Sequence, residues 1–229
     1  AGPAEGRNVS VLIGTGEGEI VIGAHADAAQ LRDGSLSHAM VDNAASVAVL
    51  VRVAETIPRY DIRHRVRVVF FDLEELNLLG SAYMVTTLDA NRIAAMVNLD
   101  IAGYGDTMIY GPAAAEGNEA VYAAVAQACA DGGHQCLRFE QFPPSDDRSF
   151  QAAAIPNVSL ATLPQLEAHQ LWLMLNGGPD AGLQDGFVPP ILRTIHTPAD
   201  TADKLDAEGM TLAYNVVMGV VLELDRSPP

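Results

Sequence analysis

The segment "VVFFDLEELNLLGS" (68–81) runs four apolar residues into Asp72, Leu73 and two adjacent glutamates, Glu74 and Glu75. Neighbouring acids after a strand have an ordinary explanation, because the first turn of a helix welcomes negative charge. A chemical role needs partners elsewhere, and the chain supplies them at comparable places. "EIVIGAHAD" (19–27) ends in His25 and Asp27, "AMVNLD" (95–100) ends in Asp100, Asp42 opens "DNAASVAVLVRVAETI", and His196 lies in "RTIHTPAD". Each alone reads as a cap, a turn former or a satisfied polar residue. Together they are several carboxylates and two imidazoles at the ends of apolar runs, and such a cluster makes electrostatic sense around divalent cations. Nitrogen and carboxylate oxygen without thiolate suit Zn²⁺, and to a lesser degree Mn²⁺ or Co²⁺. The set fits a two-metal hydrolase in which one carboxylate bridges the ions and another handles the proton of an attacking water. One of the paired glutamates then binds metal, and its neighbour stays unligated as general base.

Those residues need elements to position them. "NVSVLIG" and "EIVIGAH" flank the Gly-rich "TGEGE", which predicts a hairpin. "DNAASVAVLVRVAETI" has helical apolar spacing, with Asp42 and Asn43 where caps belong. "RVRVVFF" reads as a strand, "EELNLLGSAYMVTTL" as a helix, "IAAMVNLDIAG" as a strand, "EAVYAAVAQACADGG" as a helix and "IPNVSLAT" as a strand. A long C-terminal helix pattern closes the chain. This alternation predicts an α/β fold, with helices on both faces of a mostly parallel sheet. Ligands of such sheets bind beyond the carboxyl ends of the strands, where the acids and imidazoles fall. The loops "FEQFPPSDDRS" and "NGGPDAGLQDGFVPP" do not read as linkers, so residues 1–229 read as one domain.

The 229 residues carry a formal net charge of −16, which argues against nucleic acid or an anionic membrane surface as partner. No uninterrupted apolar run reaches the ~18–20 residues that predict a membrane span. Cys129 and Cys136 sit seven apart around a Gly-Gly turn, a spacing compatible with a disulfide or with two free thiols but with no zinc-finger template. The N-terminal residues show no signal-peptide pattern, as expected also of a mature chain. A secreted or periplasmic location is favoured over the cytoplasm.

"GAHAD", "VDNAAS", "FFDLEELNLLGS", "VNLD", "SDDRSF" and "HTPADTADKLD" occur in the order found in the M28 family of zinc aminopeptidases, which also contains the glutaminyl cyclases. The resemblance runs from about Asn8 into the C-terminal helix. It implies a three-layer α/β/α sandwich with a mixed sheet and two zinc ions per chain. His25 and Asp100 would hold one ion, Glu75 and His196 the other, and Asp42 would bridge them. Glu74 would take a proton from the bridging water and return it to the leaving amine. Asp27 would orient His25, as metal-bound imidazoles require, and Asp146 would contact metal ligands or substrate. A cis peptide is implied after the bridging Asp, at Asp42–Asn43. The substrates implied are peptides with a free N-terminus, acted on by a monomer or small homo-oligomer.

The sequence also departs from the family pattern. Ile195 stands where many relatives have a Tyr that stabilises the oxyanion, a donor worth about 10²–10³ in rate, unless Tyr104, Arg193 or the metals substitute. Asp147 replaces the His of Ser-Asp-His-x-x-Phe. "LEAHQLWLMLNGGPDAGLQDGF" reads as an enlarged loop whose Trp172 either walls a substrate pocket or packs the loop onto the body. His38, His64, His134 and His169 match no ligand position. Two alternatives are a glutaminyl-cyclase-like acyltransferase with a single zinc and a non-catalytic metal- or peptide-binding relative.

Overall fold

The computed structural model describes residues 5–112, 117–178 and 182–226. Among them seven strands form one mixed sheet: β1 (Val9–Ile13), β2 (Glu19–His25), β3 (Arg65–Phe71), β4 (Ile93–Leu99), β5 (Thr107–Gly111), β6 (Cys136–Arg138) and β7 (Asn157–Leu163), in the spatial order β1-β3-β2-β4-β7-β5-β6. β3, β2, β4 and β7 run parallel, β1 is antiparallel to β3, and β5 is antiparallel to β7. The helices are α1 (Ala45–Thr56), α2 (Leu79–Thr87), α3 (Glu119–Gly132), α4 (Asp147–Ala152), α5 (Gln165–Asn176), α6 (Ile191–Thr194) and α7 (Ala207–Arg226).

β2 is buried at every position, which its apolar composition allows for a central parallel strand. Its alternate residues feed different layers. Ile20, Ile22 and Ala24 join α1, α3 and α7 on one face, and Val21 joins Phe71, Met84, Met96 and Phe150 of the α2 and α4 side on the other. α5 covers β5 and β7 through Ala168 and Leu171. The result is an α/β/α sandwich. α7 is long and apolar enough to cross a membrane by length and composition. Here Val216, Val217, Val220 and Val221 are fully buried against the sheet and neighbouring helices, each worth roughly 1.5–3 kcal/mol.

Three sequence expectations are corrected. β1 and β2 do not form a hairpin, because β3 lies between them and pairs with both. The segment after β3 becomes helical only at Leu79, so Glu74 and Glu75 lie in a turn rather than in a helix. The first half of the stretch read as an enlarged loop, from Leu166, belongs to α5 (Gln165–Asn176), whose Trp172 Nε1 donates to the Arg138 carbonyl at 3.1 Å and so packs the helix onto β6. Cys129 and Cys136 are disulfide-bonded, joining the end of α3 to β6.

Candidate metal centre

Adjacent parallel strands β3, β2 and β4 end on the same rim, and the chemistry collects just past those ends. β2 delivers His25 as its last residue, and β4 delivers Asp100 immediately after Leu99. Asp42 comes from the turn Met40–Ala44, whose Asp42–Asn43 peptide is cis. Neither Asp42 nor Asn43 caps α1. Asn43 instead donates to the Leu99 carbonyl at 3.0 Å and accepts from the Ile101 amide at 3.0 Å, bracketing Asp100. The fully buried Asp200 accepts from the amides of Val41 (2.6 Å) and Asp42 (3.2 Å), fixing the turn from the other side.

The glutamates are held by their backbone. Asp27 Oδ1 accepts the Glu74 amide and Oδ2 the Glu75 amide, both at 3.1 Å, while Oδ1 lies 3.4 Å from His25 Nδ1. Behind the turn, Asn8 donates to the Gly80 carbonyl and accepts from the Asp72 amide. α2 enters so tightly that a Cβ on Gly80 would stand 2.0 Å from the Asp72 carbonyl. Leu73, Ile101 and His196 all adopt left-handed φ values, an arrangement that clusters at functional sites.

The side chains converge on two triads that share one residue. Asp42 Oδ1 lies 2.9 Å from His25 Nε2, which is 3.5 Å from Asp100 Oδ1; Asp42 Oδ2 lies 3.0 Å from His196 Nε2, which is 3.2 Å from Glu75 Oε2. In each triad the available ligand atoms fall within 4.8 Å of one another. Buried oxygens on Glu75 (Oε1) and Asp100 (Oδ1) have no hydrogen-bond donor, and buried polar atoms are seldom left that way. Imidazole nitrogen and carboxylate oxygen are the donors a divalent cation takes, so each triad fits such an ion, which would give those oxygens a partner.

The electrostatics agree. Burial opposes ionisation of Asp42, yet hydrogen bonds with His196 and His25 hold it far below the usual carboxylate range. Hydrogen bonds donated to the Asp42 and Glu75 carboxylates push His196 up to about 10. Burial depresses His25, but Asp100, Asp27 and Asp42 overcome it and raise its pKa well above the usual value. The pocket is arranged to hold positive charge. Glu74 is not in either triad; burial, then the charge of Asp100, push it up to about 9.

Beside the triads lies a cavity of about 440 Å³ whose rim includes Asp42, Glu74, Asp100 and His196. Its walls are apolar: Ile101, Ile109, Phe142, Leu163, Leu171, Ile191 and Ile195 among them. Trp172 is not in this lining. Ile195 presents hydrocarbon to the cavity, and neither Tyr104 nor Arg193 lines it. The Tyr104 hydroxyl is engaged elsewhere, 3.1 and 3.3 Å from the Glu167 oxygens. Asp146 and Asp147 are fully buried behind the rim, where burial pushes each up to about 7. Asp147 accepts from Ser145 N and Ser159 Oγ, so it faces the interior rather than a substrate. His64 is bonded to Asp225 at 2.9 Å, and His38 is exposed.

Sequence reasoning passed over Asn43 and Asp200 as positioning groups. The available signal was their place inside "VDNAAS" and "HTPAD".

No curated protein matches the chain in sequence. Its fold resembles that of BSAP, a zinc aminopeptidase from Bacillus subtilis, at TM-score 0.73 and 19% identity over 94% of this chain and 49% of that one. It also resembles the LapA aminopeptidase of Legionella pneumophila at TM-score 0.74 and 20% identity over 97% and 55%. An Acidobacteriales bacterium glutaminyl cyclase follows at TM-score 0.69 and 17% identity over 96% and 74%. The chain thus spans about half the length of the two aminopeptidases, and at these identities the likeness is one of fold. The model of peptidase family M28 matches residues 8–221, a span that takes in both triads and the helices and strands that place them. On that match, the chain belongs to peptidase family M28.

Proposed function

We propose that this chain is a two-zinc aminopeptidase that removes N-terminal residues from peptides. The observation that carries the reading is the Asp42 carboxylate, which turns one oxygen toward each of two triads of mixed nitrogen and oxygen donors. His25, Asp100 and Asp42 would hold one ion, and Asp42, Glu75 and His196 the other. The ion pair, when bound, supplies Lewis-acid polarisation of the scissile carbonyl, activation of the attacking water and stabilisation of developing negative charge, the last being needed because Ile195 offers no hydroxyl. Glu74 lies at the cavity rim beside Asp100, outside both triads. With cations held in the triads to offset the burial and the Asp100 charge that raise it, Glu74 is left ionised to take the proton of the attacking water and return it to the leaving amine. The substrate's free α-amine meets the acidic rim, and an apolar N-terminal side chain fills the hydrocarbon-walled cavity. The Cys129–Cys136 disulfide supports a secreted or periplasmic location.

The test is zinc stoichiometry on the purified chain together with hydrolysis of a panel of aminoacyl anilides. Close to two zincs with chelator-sensitive release of apolar residues is the expected result. One zinc, no hydrolysis and ammonia release from N-terminal glutamine would replace this reading with the cyclase. Bound zinc with neither activity would make the chain a binding relative.

A further inference from the structure

We infer that Glu167 of α5 is a positioning residue, whose single carboxylate ties the loop carrying Asp100 to the short helix leading to His196 and thereby sets the His196-containing triad and the cavity wall. This inference rests on the aminopeptidase reading for its substrate arm only. Glu167 Oε1 and Oε2 accept from the Tyr104 hydroxyl at 3.1 and 3.3 Å, and Oε2 also accepts the Ile191 amide at 3.0 Å. Tyr104 is four residues past Asp100, and its own amide donates to Thr162 Oγ1 of β7. Ile191 is the first residue of α6, five residues before His196.

α6 is a single turn of four residues, too short to hold itself by helix formation. It is held by Ile191 and Ile195, which join the apolar cluster that includes Tyr104 and Leu171, by Thr194 Oγ1, which donates to the Pro190 carbonyl, and by this carboxylate at its first amide. Hydrogen bonds to an ionised acceptor are about twice as strong as neutral ones. Burial and the Glu167 charge push the Tyr104 phenol up to about 12, so it stays a donor at any ordinary pH. Leu171 lies one helical turn after Glu167 on α5 and lines the cavity with Ile191, Leu192 and Ile195. One strut therefore sets two things at once: where His196 stands relative to Asp42 and Glu75, and how wide the apolar cavity is. Exposed and lacking the packing of a strand end, His196 depends on such support more than His25 does.

The experiment compares the full chain with Glu167→Ala, Glu167→Gln and Tyr104→Phe. Zinc affinity is measured by chelator competition without substrate, and kcat/KM on leucyl and alanyl anilides. Outer partners of metal ligands typically contribute 10–100-fold in metal affinity. Glu167→Ala is expected to weaken the more loosely held zinc by about 10-fold or more and to lower the leucyl-to-alanyl ratio severalfold. Glu167→Gln, whose one carbonyl can take both donors at the Oε2 position, should restore most of both. Tyr104→Phe should fall between. Wild-type zinc affinity and selectivity in Glu167→Ala would overturn the inference, as would Glu167→Gln losing as much as the alanine variant. If Glu167→Ala does not fold, Tyr104→Phe decides: unchanged zinc affinity and selectivity there overturn it. A wild-type chain that binds two zincs yet cleaves nothing would remove the aminopeptidase reading and leave the zinc comparison standing.

Discussion

The two triads share Asp42 but are built differently. His25 is the last residue of a fully buried central strand, its side chain 1% exposed, and Asp100 directly follows another strand. His196 hangs on a loop after a one-turn helix with its side chain 55% exposed, and Glu75 sits in a turn. A donor set built on strands is placed by the sheet itself, whereas one built on loops needs outside struts. Here those are Asp27 for the glutamates, Asp200 for the Asp42 turn and Glu167 for α6. The first triad should therefore bind its ion tightly and slowly, the second more loosely.

The strongest way to break this contrast is to remove what the triads share. Asp42→Ala should empty both, with zinc near zero by elemental analysis and hydrolysis at background. Next come the paired glutamates. Glu74→Ala should cost about 10²–10⁴-fold in kcat, the range for a lost proton-transfer group, while keeping both zincs. Glu75→Ala should lose one zinc, the exchangeable one. Wild-type activity in both variants would end the assignment. Timed chelation sharpens the comparison directly: zinc should leave in two phases, and a His196→Ala chain should show only the slow one. A single phase in the wild type would mean that the triads are equivalent.

The smallest effect lies behind the buried triad. Burial holds Asp147 at about 7 in the folded chain, above its ordinary value near 3.8. The unfolded chain therefore releases this proton first as pH rises. Stability attributable to the group is fully present below about pH 4 and is lost as pH climbs to about 7. Asp147→Asn should flatten that decline and gain on the order of 1 kcal/mol or more at pH 8 relative to pH 5, read from urea midpoints. A midpoint difference unchanged between the two pH values would show that Asp147 does not titrate in this window.

Much of the α/β order was legible because apolar runs in "EIVIGAH" and "RVRVVFF" give strands buried on both faces, and because the chemistry-bearing types follow them. What could not be read was partner choice over distance. "TGEGE" carries turn residues and suggested a hairpin, yet β3, arriving about fifty residues later, takes the place beside both strands. The role of Asn8 in clamping the Asp72–Gly80 turn follows only from that placement. α5 was missed because its polar residues and the Gly- and Pro-rich stretch after it masked a helix with few buried positions. The converging residues of the site were found from their types and order, whereas Asn43, Asp200 and Glu167 act through backbone amides and carbonyls or a remote hydroxyl. Asn43 and Asp200 can be noted for their place in a motif, but the groups that they and Glu167 meet carry no sequence spacing to detect.

Asp27 has a consequence for motion as well as for geometry. Its two oxygens grip the amides of consecutive residues, one proposed as proton carrier and one as ion holder. A thermal displacement of the turn therefore carries both backbone attachment points together with Asp27, as two passengers on one platform, so the two side chains start from a common frame whichever way the loop moves.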